Sequence, residues 1–518
     1  MPWIGLGTHS DRAVNYLTLV SCVLVIAIAI LTYLKYQRIQ EVRRETGQTP
    51  EVFGEFSPVD VRLRGYELNN KTSISGSTTA PLFRISLAGK EVTVVTPELD
   101  RGLGRIKNLG LHPLALIVFK TSLGLGKFVQ RLLKEEDELS RQFHPEGTRL
   151  FHEEFIGGEK LACYVKKIDG YIRRDLSRIP DGGKVQIEDW IFRCLFGALG
   201  KSIWGEEGPF KEPAFLGHLR TLLLNLWALN NPIEFLVPRK LRESRQFVRD
   251  RLDGCGAEAY ARRSSGQDTT DLTGSSLLNG VQNLCIKAGA PLDGWTDYQL
   301  SLIAGLGPNI TAAAAWLIHH ILSDTNRLSQ IKAEIQNYIS TSNGVVYVCE
   351  VKDKCPLLQA TWDEVLRYHG DFTLGRYILK RGSYVLVPLA PYHHDPGTWG
   401  EDAKEFAPER FLKDGRIDES RKQGLRIYGV FDTRCPGRFL AAHMAMILTI
   451  RMLTEFDIKP KMEKYVVPEA VGDNLTGMAP PAHDIEVAMY RCDDRVNGLE
   501  IRYQRPKVKD DGGKARCQ

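Results

Sequence analysis

The chain has 518 residues, 43% of them hydrophobic and 25% charged, and a formal net charge of +5. That charge is too small for the length to point to nucleic acid, and it suits a protein lying beside an anionic membrane surface. Without a low-complexity tract, the composition is that of a globular protein with a core large enough to enclose a bulky group.

Ten cysteines (Cys22, Cys163, Cys194, Cys255, Cys285, Cys349, Cys355, Cys435, Cys492 and Cys517) are scattered, with no C-x-x-C pair and no His at zinc spacing. They read as reduced thiols of a cytosolic environment, most of them acting as small hydrophobes.

Residues 14–34 (VNYLTLVSCVLVIAIAILTYL) carry no charge. At a rise of ~1.5 Å per residue they just cross a ~30 Å hydrocarbon core. Lys35, Arg38, Arg43 and Arg44 follow directly, against Asp11 and Arg12 before the run. The positive-inside tendency then places the rest of the chain in the cytoplasm and residues 1–13 in the lumen. A cleaved signal peptide is the alternative, but the run is longer than a typical h-region and lacks an A-x-A-like site. With the anchor retained, the sequons at Asn70, Asn309 and Asn474 stay away from the glycosylation machinery.

Residues 35–60, with Pro50 and Pro58, read as a linker off the membrane. Alternation at Phe83/Ile85/Leu87 and Val92/Val94 around Gly89-Lys90 predicts a hairpin, and Pro97-Glu98 can open a helix. Helical patterns dominate from about 110 to 340, broken by loops such as 180–184 and 264–275. Strand-like alternation returns at 383–390, a long apolar helix runs from Arg438 to Phe456, and two short strands are expected around 484–503. No internal repeat is present. The pattern predicts a mainly α body with a small β portion.

In the segment 428–446 (YGVFDTRCPGRFLAAHMAM), Cys435 stands between irregular chain and a helix start. Pro436 suits a first helical turn, and Gly437 lets backbone or ligand come close. A sulfur at a helix N-terminus is biased toward thiolate. On its own, C-P-G more often marks a buried structural cysteine. Upstream, Glu364 and Arg367 are spaced three apart on one helix face, a pattern that alone is usually a surface ion pair. Between them and the cysteine lies Phe406-x-Pro408-Glu409-Arg410-Phe411.

The ordered trio E-x-x-R, F-x-P-E-R-F and C-x-G before an apolar helix resembles the cytochrome P450 family, and the resemblance runs over nearly the whole chain. It implies a P450-like fold behind one transmembrane helix, with a haem-thiolate domain over 61–505 and a polar tail over 506–518. It implies haem b, with Cys435 as the axial ligand of the iron. Glu364, Arg367 and Arg410 become a buried network that supports the cysteine loop. Arg376 and Arg434 are candidates for the haem propionates.

The chain departs from the family pattern in several places. Phe431 stands at the second Gly of the cysteine loop and Thr433 at its basic residue, and the connection 376–383 is short. In the segment 301–324, Gly307 and Pro308 occupy the positions of the family's acid and threonine. Pro308 should kink the helix and free a carbonyl. Asn309 and Thr311 are the nearest polar candidates for a catalytic role, although a helix hydroxyl commonly bonds its own backbone. The pattern Asn309-x-x-Ala312-x-x-x-Trp316 looks like a branch holding sterol and prostanoid enzymes, some of which rearrange peroxides. His319-His320 and His393-His394 read as packing or surface residues, because neighbouring side chains face apart.

The resemblance thus implies an oxidoreductase: a monooxygenase of a lipophilic terpenoid, sterol-like or polyketide compound, in fungal secondary metabolism. NADPH-cytochrome P450 reductase would supply electrons, and membrane lipid of the endoplasmic reticulum would hold the anchor. Two alternatives stay open: an isomerase or dehydratase working without a reductase, and a degenerate non-catalytic paralogue.

Overall fold

The computed structural model describes residues 82–87, 90–95, 112–134, 136–231, 234–267, 274–370, 372–375, 384–429, 434–461, 465–471, 477–492 and 498–504. The anchor 14–34, the linker, the opening at Pro97, Arg376, Phe431, Thr433, the connection 376–383 and the tail from 505 lie outside the described residues. The chain divides into two compact units, Met1–Ser57 with Ile85–Lys90, and Pro58–Arg84 with Glu91–Gln518. All that follows on packing and sites concerns the second.

Besides a two-residue antiparallel pair, Leu412–Lys413 with Arg416–Ile417, the strands are β1 (Leu82–Leu87), β2 (Lys90–Val95), β3 (Gly183–Gln186), β4 (Val345–Tyr347), β5 (Phe372–Gly375), β6 (Tyr384–Pro388), β7 (Phe456–Pro460), β8 (Glu486–Arg491) and β9 (Glu500–Arg502). Both strands expected around Gly89-Lys90 form, with Lys90 the first residue of β2. β2 runs parallel to β6 (Val92 opposite Tyr384), and β5 pairs antiparallel to β6. β8 lies antiparallel between β3 and β7, while β9 pairs parallel to β4. The predicted loop 180–184 is shorter than its Gly content suggested, because Gly183 already pairs with Met489 in β3.

The helices that build the site are α1 (Gly158–Ser177), α2 (Ile187–Ile191), α3 (Gly197–Trp204), α4 (Pro213–Leu224), α5 (Leu292–Leu306), α6 (Pro308–Leu322), α7 (Thr325–Thr341), α8 (Pro356–His369) and α9 (Arg438–Glu455). A π-helical turn, Phe192–Phe196, joins α2 to α3. Every residue of α6 from Ile310 to Leu322 is buried, as expected of a helix apolar on all sides. It packs against α2, α8 and α9, and α9 packs on α1. The span Leu292–Leu322 is long and apolar enough to cross a membrane, yet it is mostly buried in protein and forms the core. One ion pair is buried in that packing: Arg451 of α9 reaches both oxygens of Asp169 on α1 at 2.8 and 2.9 Å.

The helix is interrupted at Gly307, next to Pro308, where a kink was expected. Gly307 ends α5 as its C-cap and Pro308 is the first residue of α6. Pro308 has no N–H for the carbonyl of Ala304, so the ladder is interrupted there. A Cβ on Gly307 would overlap the ring of Phe196, which fills the notch from the π-helical turn.

Candidate haem-thiolate site

The N-terminus of α8 is held by the Glu334 carboxylate of α7, which accepts the N–H groups of Leu357 and Leu358 at 2.9 to 3.2 Å. Two turns on, Glu364 and Arg367 share one face and are both fully buried. Arg367 donates from Nε and Nη2 to the two oxygens of Glu364 at 2.7 and 2.6 Å. Its remaining donors reach the carbonyls of Ala403 (2.8 Å), Glu405 (2.9 Å) and His393. Glu364 Oε1 also accepts the N–H of Ala407 at 2.8 Å and Nε of Arg410 at 3.1 Å. Arg410 then ties down the carbonyls of Trp399 and Asp402. The three charges expected to meet do meet, and nearly every donor has an acceptor, which a buried ion pair requires.

The network reaches the cysteine through backbone. His393, whose carbonyl Arg367 holds, accepts the N–H of Arg426 on Nε2 at 3.2 Å. Two residues later Tyr428 (φ +62) and Gly429 (φ +88) turn the chain, and the carbonyl of Tyr428 accepts the N–H of Cys435 at 2.6 Å. A positive φ is strained for Tyr, and the Cys435 hydrogen bond helps hold it. His393 is therefore a buried packing residue, at the end of a short helix rather than on a strand.

Cys435 lies outside the helix: Pro436 and Gly437 form a turn, Gly437 is the N-cap, and α9 starts at Arg438. Pro436 thus sits two residues before the first helical residue rather than in the first helical turn, because Gly437 takes the cap. The protein packed behind Cys435 pushes its thiol up, while the N–H groups of Gly437 and Arg438 and the Arg438 charge pull it down. Cys435 is nevertheless exposed on its outer side. A sulfur open on one side, with backbone N–H groups aimed at it from the other, fits an axial thiolate on haem iron. Arg438 donates to the Cys435 carbonyl at 2.9 Å and lies over Phe439. Arg434 is exposed beside it.

Asn309 and Thr311 stand at the start of α6. Asn309 Oδ1 accepts the N–H of Met478 at 3.0 Å, and Trp316 donates to the carbonyl of Ala479 at 2.8 Å, so α6 is stitched to the segment 478–479. The Thr311 hydroxyl donates to the carbonyls of Pro308 (2.9 Å) and Gly307 (3.3 Å), the local bond common for a helix hydroxyl. Thr311 lines a mostly apolar cavity with Phe192, Leu223, Ala312, Ala315 and Met478. Glu188 and Arg220 also reach that cavity. Neither was singled out from the sequence. Glu188 is one of two acids in the first turn of α2, and its partners come from remote segments.

A family profile described as cytochrome P450 matches residues 184–485. The chain is similar to the cytochrome P450 monooxygenase nodJ of Hypoxylon pulicicidum, at 23% identity over 54% of this chain and 58% of that protein. It is similar to a cytochrome P450 monooxygenase of Gibberella zeae, at 20% identity over 81% of this chain and 84% of the relative. It also matches the 25-hydroxycholesterol 7-alpha-hydroxylase of Rattus norvegicus at 21% identity, over 66% of this chain and 87% of that enzyme. With nodJ, therefore, the chain shares less than two thirds of the relative's length. A mainly helical fold with small sheets and this profile match define the class. The chain belongs to the cytochrome P450 family.

Proposed function

We propose that the protein is a membrane-anchored haem-thiolate monooxygenase that oxidises a lipophilic small molecule, a terpenoid, sterol-like or polyketide compound of secondary metabolism. The observation that carries this reading is Cys435, exposed on one side and faced by the N–H groups of Gly437 and Arg438 on the other. When bound, the haem supplies dioxygen activation and insertion of one oxygen atom into the substrate. Cys435 would hold the iron, and its N–H partners would spread the thiolate charge. Arg434 and Arg376 would pair with the propionates. Glu364, Arg367 and Arg410 would keep the segment before Cys435 in place through His393. The amide N–H₂ of Asn309 and the hydroxyl of Thr311 are the groups of α6 proposed to hold a proton near the substrate. Residues 14–34 would anchor the chain in the endoplasmic reticulum, the domain 61–505 facing the cytoplasm and taking electrons from NADPH through a separate reductase.

The test is the carbon-monoxide difference spectrum of the reduced, purified protein. The long-wavelength band of thiolate-ligated haem is expected, and Cys435→Ala should abolish it. Its absence from the wild-type protein would overturn the reading.

A second reading has one observation in its favour: Gly307 and Pro308 provide neither acid nor alcohol, and Thr311 spends its proton on its own helix. An isomerase or dehydratase acting on a peroxide or epoxide needs no such donors. Turnover that depends on NADPH and reductase excludes it, and turnover of a hydroperoxide without them supports it.

A further inference from the structure

His393, fully buried, holds two segments at once. Its carbonyl takes Arg367 of the charge network, and its ring reaches the chain that leads into Cys435. The direction of the second bond is fixed by its donor. The N–H of Arg426 is a backbone group and can only donate, so Nε2 must keep its lone pair. The ring proton then sits on Nδ1, which faces Gly370, the C-cap of α8. Burial, with the Arg367 charge beside it, favours this neutral ring and holds the imidazole down to about 3. His394, next in sequence, turns the other way and lies 3.1 Å from the carbonyl of Tyr368.

What the ring governs lies two residues past Arg426. Tyr428 takes φ +62, a left-handed conformation that costs a residue with a Cβ free energy and lasts only where its surroundings impose it. Two backbone contacts frame it. Before it, the N–H of Arg426 is fixed on His393 at 3.2 Å; after it, the N–H of Cys435 is fixed on its own carbonyl at 2.6 Å. Further upstream the Tyr392 hydroxyl holds the carbonyl of Gly424 at 2.8 Å, so one helix end grips this stretch at two points.

Removing the ring acceptor leaves the Arg426 N–H unsatisfied and frees the upstream side of the strained turn. Tyr428 then relaxes toward negative φ, and its carbonyl swings away from the N–H of Cys435. The backbone of the sulfur-bearing residue loses its hold.

We propose that the His393 imidazole is a positioning residue for the iron ligand: its Nε2 lone pair, acting through Arg426 and the Tyr428 turn, keeps Cys435 in the geometry that binds iron as a thiolate. The inference rests on the assignment of Cys435 made above and adds a side chain that lies outside the three short motifs.

The test compares wild-type, His393→Gln and His393→Phe proteins, full length and loaded with haem. The readout is the ratio of the long-wavelength carbon-monoxide band of thiolate-ligated haem to the shorter-wavelength band of haem that has lost its thiolate. Gln carries an amide oxygen at about the reach of Nε2 and should keep the wild-type ratio. Phe fills the volume without an acceptor and should lower the ratio roughly fivefold at equal haem content, the size of one hydrogen bond. Where His393→Phe takes up no haem, His393→Asn, whose amide oxygen falls one bond short of Arg426, replaces it. Amide hydrogen exchange at Arg426 should be slow in wild type and in His393→Gln, and roughly tenfold faster in the variant without the acceptor. An unprotected Arg426 amide in wild type, an unchanged ratio in that variant, or an equal fall in His393→Gln would overturn the proposal while the wild-type thiolate band stands. A wild-type protein without that band would instead sink the assignment of Cys435 itself.

Discussion

Arg367 lays its guanidinium across both carboxylate oxygens of Glu364, with neither side chain exposed to solvent. The pair is three residues apart on α8, where an exposed version would contribute little. Burial changes the sign of the question: removing one partner strands the other charge in the core. Glu364→Ala should therefore cost on the order of 3–5 kcal/mol in urea unfolding. Asp402→Ala, which removes a half-exposed partner of Arg410, should cost less than about 1 kcal/mol. Equal effects would show that the network is not the rigid element its geometry describes.

The notch at Gly307 makes a second expectation. The position aligned with the family's acid is occupied from outside by the Phe196 ring, so any side chain there collides with it. Gly307→Asp should destabilise the protein by about 1–3 kcal/mol, as overpacking does. Phe196→Ala in the same chain should recover part of that loss, giving a favourable coupling in a double-mutant cycle read by unfolding. Additive losses would mean that the two positions are independent.

These two sites mark how far the sequence could be read. Glu364, Arg367 and Arg410 were legible because each falls within a short motif whose order is specific. The break at Pro308 was legible because a proline has one local consequence in a helix. Phe196 was not, since a π-helical turn leaves no periodicity signal and its ring meets Gly307 only in the packed fold. Glu188 was hidden for the same reason: His319 and Tyr465 lie 131 or more residues away, and only the antiparallel sheet of β3, β7 and β8 and the core packing bring them together. His319 itself was read as packing, which its full burial supports, but its two hydrogen bonds lay beyond reach of a rule about neighbours on a helix.

Cys435 is open to solvent on one side, and so are Cys163, Cys255 and Cys349. Stripping the haem should let a maleimide label Cys435, slowly near neutral pH because burial holds the thiol up. Reloading haem should protect Cys435 while Cys163 labels at the same rate in both forms, as read by peptide mapping. Labelling of Cys435 unchanged by haem would argue against its assignment as the axial ligand.

The Glu188–His319 pair sets a pH signature for stability. Glu188 is raised from the ordinary 4.5 to about 9, so the folded state holds a proton that the unfolded chain releases. Its contribution is full below pH 4.5 and is lost as pH rises toward 9. His319 is lowered from 6.5 to about 3, so its contribution is full above 6.5 and is lost as pH falls. The two slopes oppose each other between pH 4.5 and 6.5. From 6.5 to 9 only the Glu188 slope remains, at up to about 1.4 kcal/mol per pH unit. Urea unfolding of wild-type protein should therefore show stability falling over that window, and Glu188→Gln, which cannot ionise, should be flatter there. Parallel wild-type and variant curves from pH 6.5 to 9 would mean that Glu188 is already ionised in the folded protein.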